Sequence, residues 1–302
     1  MPTTPQKILV LGGSGFVGRH VCEALSRLGH RITVPTRRLP ARSVQMFPGV
    51  EVVRTDVHDP AQLRALVSGH DAVVNLVAIL HGDEAAFDLV HVQLVRHLVK
   101  ACRSADIQRV VHISALGADE HAASMYQRSK ARGEKVLQAA AQTAHLELTI
   151  LRPSVIFGSD DRFINLFAKL QAVFPFMPLA GAATQFQPVS VQDVAQAVVY
   201  CLEHHTTAGE VFELCGPQIF TLRQLVEHAG QWAGHPRWVL PLPRSIAWLQ
   251  ALMMEFAPGP TLMSRDNLAS MQTDNVASGQ AKGLAQLGIA HPQSVSSVFS
   301  IR

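Results

Sequence analysis

Tyr126 and Lys130 stand four residues apart in a stretch with helical spacing, and Ser114 closes the apolar run Val110-Val111-His112-Ile113 just upstream. Residues i and i+4 project from one face of a helix, and the C-terminal rim of a parallel sheet is where open α/β folds bind ligands. The three side chains can therefore converge. A phenol with an ordinary pKa of about 10 exchanges protons poorly at neutral pH, but a neighbouring ammonium favours the phenolate. On this reading Lys130 lowers the pKa of Tyr126 and Tyr126 moves a proton. Ser114 then donates to a carbonyl oxygen that gains negative charge as hydride arrives. Tyr and Lys at this spacing are also common on solvated helix faces, so the pair takes its weight from its place in the chain.

That place is set by Gly12-Gly13-Ser14-Gly15-Phe16-Val17-Gly18, which lies between the apolar run 7–11 and a helical pattern of Val17, Val21, Leu25 and Leu28. A strand, a glycine turn and a helix in this order make a phosphate site. Gly12 permits the tight turn, Gly15 lets backbone approach a pyrophosphate, and Gly18 allows close helix packing beside the positive helix N-terminus. The second strand ends in Thr36-Arg37-Arg38, where a carboxylate would meet the free ribose hydroxyls of NAD(H). Two guanidiniums instead suit the extra phosphate of NADP(H), so NADP(H) is the preferred cofactor and NAD(H) the alternative. Asp56, with Val57, is placed to accept from the adenine amino group or to cap the next helix. Asn75, Leu76, Val77 and Ala78 should run along the cofactor unless packing alone accounts for them. Lys130 can bond the nicotinamide ribose, and Pro153 and Val155 should lie near the nicotinamide unless they form only a structural turn.

These residues need a frame, and the pattern supplies one. After Gly29 stops the first helix, apolar runs at 32–34, 51–53, 72–76, 110–113 and 148–151 alternate with helical stretches at 61–66, 87–101 and 126–140. The fold class is α/β, a doubly wound parallel sheet of the Rossmann type, with a smaller, discontinuous C-terminal cap domain. The dinucleotide-binding domain is expected over 1–158, with 187–216 returning to it, and the cap over about 159–186 and 217–302. Charged residues are only 16% of the 302 and hydrophobic residues 48%, which excludes a disordered chain. A net charge of +3 without a basic stripe argues against nucleic acid. Cys22, Cys102, Cys201 and Cys215 lie too far apart for a metal knuckle or a disulfide framework, and no metal site is expected. No secretion signal or membrane span is legible, so a cytoplasmic protein is expected, with contact at the inner-membrane surface left open.

Three local readings complete the expectations. Asp160 and Asp161 read as a solvated loop, and Asp193 as a capping or paired carboxylate. Ser245 to Phe256, with Ile246, Trp248, Leu249, Leu252, Met253 and Phe256, reads as interior packing, with a surface for quinone, lipid or a partner as the alternative.

The glycine turn, Tyr126 to Lys130, Arg152-Pro-Ser-Val-Ile-Phe-Gly158 and Pro188-Val-Ser-Val-Gln-Asp-Val-Ala195 resemble the short-chain dehydrogenase/reductase superfamily in its extended and atypical branches. More narrowly, His112-Ile-Ser-Ala-Leu-Gly-Ala118, Phe157-Gly158 with Asp161 to Phe167, Arg265-Asp266-Asn267 and Thr273-Asp274-Asn275-Val276 are similar to the nucleotide-binding accessory subunit family of respiratory complex I and its bacterial homologues. The resemblance implies tight NADPH binding, with the nucleotide held structurally rather than turned over, and a setting in respiratory or quinone metabolism. It leaves an active oxidoreductase or epimerase acting on a carbonyl or quinone as the other class. The superfamily's helper Asn is replaced by His91, which puts the proton relay in question and leaves His91 to packing or relay.

Overall fold

The computed structural model describes residues 4–37, 39, 41–144, 146–256 and 262–299. Strands β1 (Lys7–Leu11), β2 (Arg31–Thr36), β3 (Val50–Arg54), β4 (Ala72–Asn75), β5 (Arg109–Ile113) and β6 (Glu147–Pro153) alternate with helices. The helices are α1 (Phe16–Arg27), α2 (Arg42–Gln45), α3 (Pro60–Val67), α4 (Glu84–Asp88), α5 (Leu94–Ser104) and α6 (Met125–Ala144). Further along come β7 (Ile156–Phe157), α7 (Ile164–Val173), β8 (Phe176–Leu179), β9 (Gln185–Phe186), β10 (Val189–Ser190), α8 (Val191–Glu203) and β11 (Val211–Leu214). The chain closes with β12 (Phe220–Thr221), α9 (Leu222–Trp232), β13 (Trp238–Pro241), α10 (Arg244–Glu255), α11 (Arg265–Ser270) and α12 (Val295–Val298).

Seven strands form one sheet in the order β11-β6-β5-β4-β1-β2-β3, every pair parallel. The reversal between β1 and β4 sends successive crossovers to opposite faces, so β1, β4 and β5 are buried on both sides and carry unbroken apolar runs. On one face Val21, Cys22 and Leu25 of α1 pack with Val194, Val198 and Cys201 of α8. On the other, Leu63, Leu98 and Leu137 come from α3, α5 and α6. Each such side chain contributes about 1.5–3 kcal/mol on burial.

The remaining elements make a lobe over the C-terminal ends of the strands. Its pairs are β7 with β10, β9 with β12, and β8 with β13. Its core gathers Met177, Leu179, Phe186, Leu225 and Val239. The helix expected over 87–101 is interrupted: Leu89–Gln93 forms a π-helical turn between α4 and α5, and this turn carries His91. Among the described residues no helix is long and apolar enough to cross a membrane.

Candidate functional site

The turn after β1 is built as its glycines require. Gly12 has φ +82°, and a Cβ there would lie 3.1 Å from the carbonyl carbon of Leu76. The backbone of Leu76 and Val77 thus runs directly beside the turn. No side chain caps α1 at Gly15, so the first-turn amides of Phe16, Val17 and Gly18 lack intrahelical partners, as helix starts do. Ser14 and Gly15 are exposed, which leaves this face open to a phosphate. The ring of Phe16 packs against Gly158, where a Cβ would meet it at 3.1 Å, and this closes the turn onto the segment after β6.

Beyond the end of β2, Arg37 is exposed, and its charge helps to push the pKa of His58 down, after burial, which is the larger cause. That places Arg37 by the Asp56-Val57-His58 loop. Arg38 lies outside the described residues. Asp56 accepts from the His58 amide at 3.0 Å and does not cap α3. Asp59 does so, accepting from Ala61 and Gln62.

The rim of β4 and β5 holds the chemistry-bearing group. Lys130 is fully buried and its Nζ donates to the Ile113 carbonyl at 2.7 Å, which pins α6 against the strand end next to Ser114. Burial lowers the Lys130 pKa to about 8 against the opposing pull of Glu134. Ser114 is buried, and its Oγ has no hydrogen-bond partner among the described residues. Tyr126 sits one turn before Lys130, its ring edge-on to Phe87 and His91. The expectation that Lys130 makes this phenol more acidic is not met: burial pushes Tyr126 up to about 12. Loss of water around the phenolate is the dominant effect on Tyr126. Ala78 is exposed past the end of β4, while Asn75 bridges the two strand ends. Its Nδ2 donates to His112 Nδ1 at 3.1 Å and its Oδ1 accepts from the Val77 amide.

His91 is locked in one tautomer. Its Nε2 accepts from the Ile79 amide at 3.2 Å, so Nδ1 carries the proton and donates to Ser129 Oγ at 2.7 Å. Ser129 Oγ in turn donates a hydrogen bond to the Tyr126 carbonyl at 2.8 Å. Both nitrogens are engaged in holding the loop after β4 against α6. Burial, then Lys130, lowers the pKa to about 3, so the ring stays neutral while an unfolded histidine near 6.5 would protonate. The sign follows: the contribution is complete above pH 6.5 and is lost as pH falls towards 3. Below pH 6.5, wild type should lose stability faster than His91→Asn, by up to about 1.4 kcal/mol per pH unit. Urea midpoints across this range measure it, and parallel slopes for the two proteins would exclude a buried neutral His91.

Two distant segments clamp the site. Asp266, at the start of α11, accepts from Ser124 Oγ at 2.8 Å and from the amides of Met125 and Tyr126 at 2.5 and 3.1 Å, capping the helix that carries Tyr126 and Lys130. Asn275 Oδ1 accepts from Ser154 Oγ at 2.6 Å and from the Val155 amide at 3.2 Å. The Pro153 carbonyl accepts from Leu116, so both Pro153 and Val155 have their backbone committed to protein partners. Asp161 departs from its solvated-loop expectation: it is buried and accepts from the amides of Gly158, Phe163 and Ile164, holding the turn into α7. Asp160 pairs with Arg19 of α1. Asp193 accepts from the Gln293 amide. The sequence places Asn75 along the cofactor but not as the bridge between the ends of β4 and β5, and it gives no structural role to His112, Asp266 or Asn275, although Ser264 and Asn267 form a capping box that marks the start of α11.

A model of the NAD dependent epimerase/dehydratase family matches residues 8–215. The chain belongs to that family. The matched span covers the whole parallel sheet and ends just past β11, so the Asp266 and Asn275 clamps lie beyond it. Within the family the chain is similar to the mitochondrial NADH dehydrogenase (ubiquinone) 1 alpha subcomplex subunit 9 of Mus musculus, 30% identical over 292 residues, which are 93% of this chain and 75% of the mouse protein. Across mitochondrial relatives the chain spans 63% of the Dictyostelium discoideum subunit and 71–75% of the others. A ceramide reductase of Caulobacter vibrioides is 30% identical over 197 residues, 64% of this chain and 60% of that one. The fold is that of a UDP-glucuronic acid 4-epimerase of Bacillus cereus solved with NAD, with a TM-score of 0.69 at 19% identity, covering 88% of this chain and 99% of that one.

Proposed function

We propose that this protein holds a nicotinamide dinucleotide, NADPH in preference to NADH, as a lasting part of its structure and serves respiratory complex I or quinone metabolism rather than turning substrate over. The observation that carries this reading is the state of the proton-transfer pair. Burial pushes Tyr126 up to about 12, so the phenol is not poised to give up its proton near neutral pH, and Lys130 Nζ is anchored on the Ile113 carbonyl. The first-turn amides of α1 would hold the pyrophosphate, Arg37 and Asp56 the adenosine end, and Lys130 the nicotinamide ribose. When bound, the dinucleotide supplies hydride-transfer capacity. The similarity to mitochondrial NADH dehydrogenase subunits supports the respiratory setting, and a position peripheral to a membrane accords with it.

The partnerless Ser114 Oγ favours a second reading, an NADPH-dependent oxidoreductase or epimerase in which Ser114 orients a carbonyl substrate. One experiment separates the two. Nucleotide bound to the purified chain is identified by mass spectrometry, and label is followed from deuterated NADPH into candidate carbonyls and quinones. Co-purified nucleotide without label transfer is the expected result. Label that enters a product and disappears in Tyr126→Phe replaces holding with turnover.

Cofactor choice has its own check. Arg37→Ala combined with Arg38→Ala should weaken NADPH binding by tenfold or more, since charge-assisted contacts are worth about 1.5–3 kcal/mol. NADH affinity, read by calorimetry, should barely change. Equal losses for both nucleotides would count against a site for the extra phosphate.

A further inference from the structure

Helix α10 is turned inside out. Its inward residues are the small Ala247 and Ala251, while Ile246, Trp248, Leu249, Leu252, Met253 and Phe256 share the outward arc, interrupted only by Ser245. Met253 is 67% and Phe256 80% exposed, the reverse of a helix that packs its apolar stripe inward. The surface continues onto the β8–β13 ribbon. Met177, Leu179 and Val239 face the core, yet the outward residues Phe176, Pro178, Trp238 and Leu240 are apolar too, and Trp238 is 83% exposed. The Leu242 amide donates to the Leu179 carbonyl and Gln250 reaches the Pro178 carbonyl at 3.4 Å, so the helix is tied to the ribbon.

Along the segments that build this face the only carboxylate is Glu255. No Asp or Glu occurs from Arg162 to Gln192 or from His228 to Met254, while Lys169 and Arg244 are exposed and Arg237 precedes Trp238. Glu255, at the end of α10, is paired with Arg265, whose guanidinium also lies over the Trp248 ring. A protein partner would require about one hydrogen bond per 100–200 Å² of interface, and the outward arc of α10 offers only the Ser245 hydroxyl. A bilayer asks for no such pairing. It accepts Trp, Phe, Met and Leu in its headgroup boundary and attracts cations to its anionic surface. At 12 residues α10 is too short to span.

We propose that α10 and the outer face of the β8–β13 ribbon form a docking surface for an anionic lipid bilayer, with α10 lying in the interfacial plane. The test uses the full chain and co-sedimentation with phosphatidylcholine vesicles, with and without phosphatidylglycerol. The protein should bind the anionic vesicles, and bromine-labelled lipids should quench its tryptophan fluorescence. Leu249→Glu with Met253→Glu should weaken binding by about tenfold or more, and Arg244→Ala by about fivefold on anionic vesicles alone. Because these side chains are exposed, near-ultraviolet dichroism of the variants should match wild type. Should a variant fail to fold, quenching of the wild-type tryptophans decides the matter. Absence of both sedimentation and quenching overturns the proposal, as does binding that the double variant leaves intact. So does self-association in sedimentation equilibrium that the double variant abolishes, because the face would then belong to a second copy.

Discussion

Gly18→Ala is expected to weaken dinucleotide binding by about a hundredfold or more and to lower stability by about 1–3 kcal/mol. A Cβ at Gly18 would stand 2.3 Å from the Gly12 carbonyl oxygen and 2.5 Å from the Gly13 Cα. Both are backbone atoms, so no rotamer relieves the clash. Either α1 shifts or the turn opens. The first is resisted by Val21, Cys22 and Leu25, fully buried against the sheet, so the turn yields and carries the first-turn amides of α1 with it. Gly29→Ala is the control. Gly29 has φ +80° but open space around its Cβ position, so the substitution strains the backbone without touching the turn. It should lower stability by about 1 kcal/mol and leave nucleotide affinity unchanged. Calorimetry with NADPH and NADH, together with urea unfolding, reads both quantities. Wild-type affinity in Gly18→Ala would move the phosphate site away from this turn.

The contrast between these glycines explains what the sequence could reveal. The spacing of Gly12, Gly15 and Gly18 constrains neighbouring backbone, so the turn, the helix behind it and the first βαβ unit were all readable from local pattern. The alternation of apolar runs then carried the rest of the parallel sheet, because a strand buried on both faces leaves a continuous signature. What failed to show was tertiary. Asp266 and Asn275 act on residues more than a hundred positions upstream, and nothing in their neighbourhood marks a carboxylate as the cap of another helix. The sequence leaves His91 between packing and relay, and its structural part is set by hydrogen bonds to the Ile79 amide and Ser129 from within the π-helical turn. The segment 245–256 misled in a different way. Apolar residues at helical spacing reveal a coherent face but not which way it points, and here the alanines won the inward position.

Asp266→Ala is the second large effect, expected to cost about 3 kcal/mol and to loosen Tyr126 before Lys130. The carboxylate is buried and accepts from one hydroxyl and two amides at the start of α6, so truncation strands three donors and removes negative charge from a helix N-terminus. Asp266→Asn keeps the shape and one acceptor oxygen but turns an NH2 group toward donors, so its loss should be roughly half as large. Asp160→Ala provides the comparison, since Asp160 is exposed and its pair with the half-buried Arg19 should be worth about 1 kcal/mol or less. The frayed turn would hold Tyr126, whereas Lys130 lies one turn deeper and is tied to the Ile113 carbonyl. Nucleotide affinity should therefore fall less than tenfold even as urea stability drops. Hydrogen exchange should quicken at Met125 and Tyr126 and stay slow beyond Lys130. If Asp266→Ala costs no more than Asp160→Ala, the lobe does not hold the helix, and the position of Tyr126 rests instead on its ring contacts with Phe87 and His91 and its bond to Ser129.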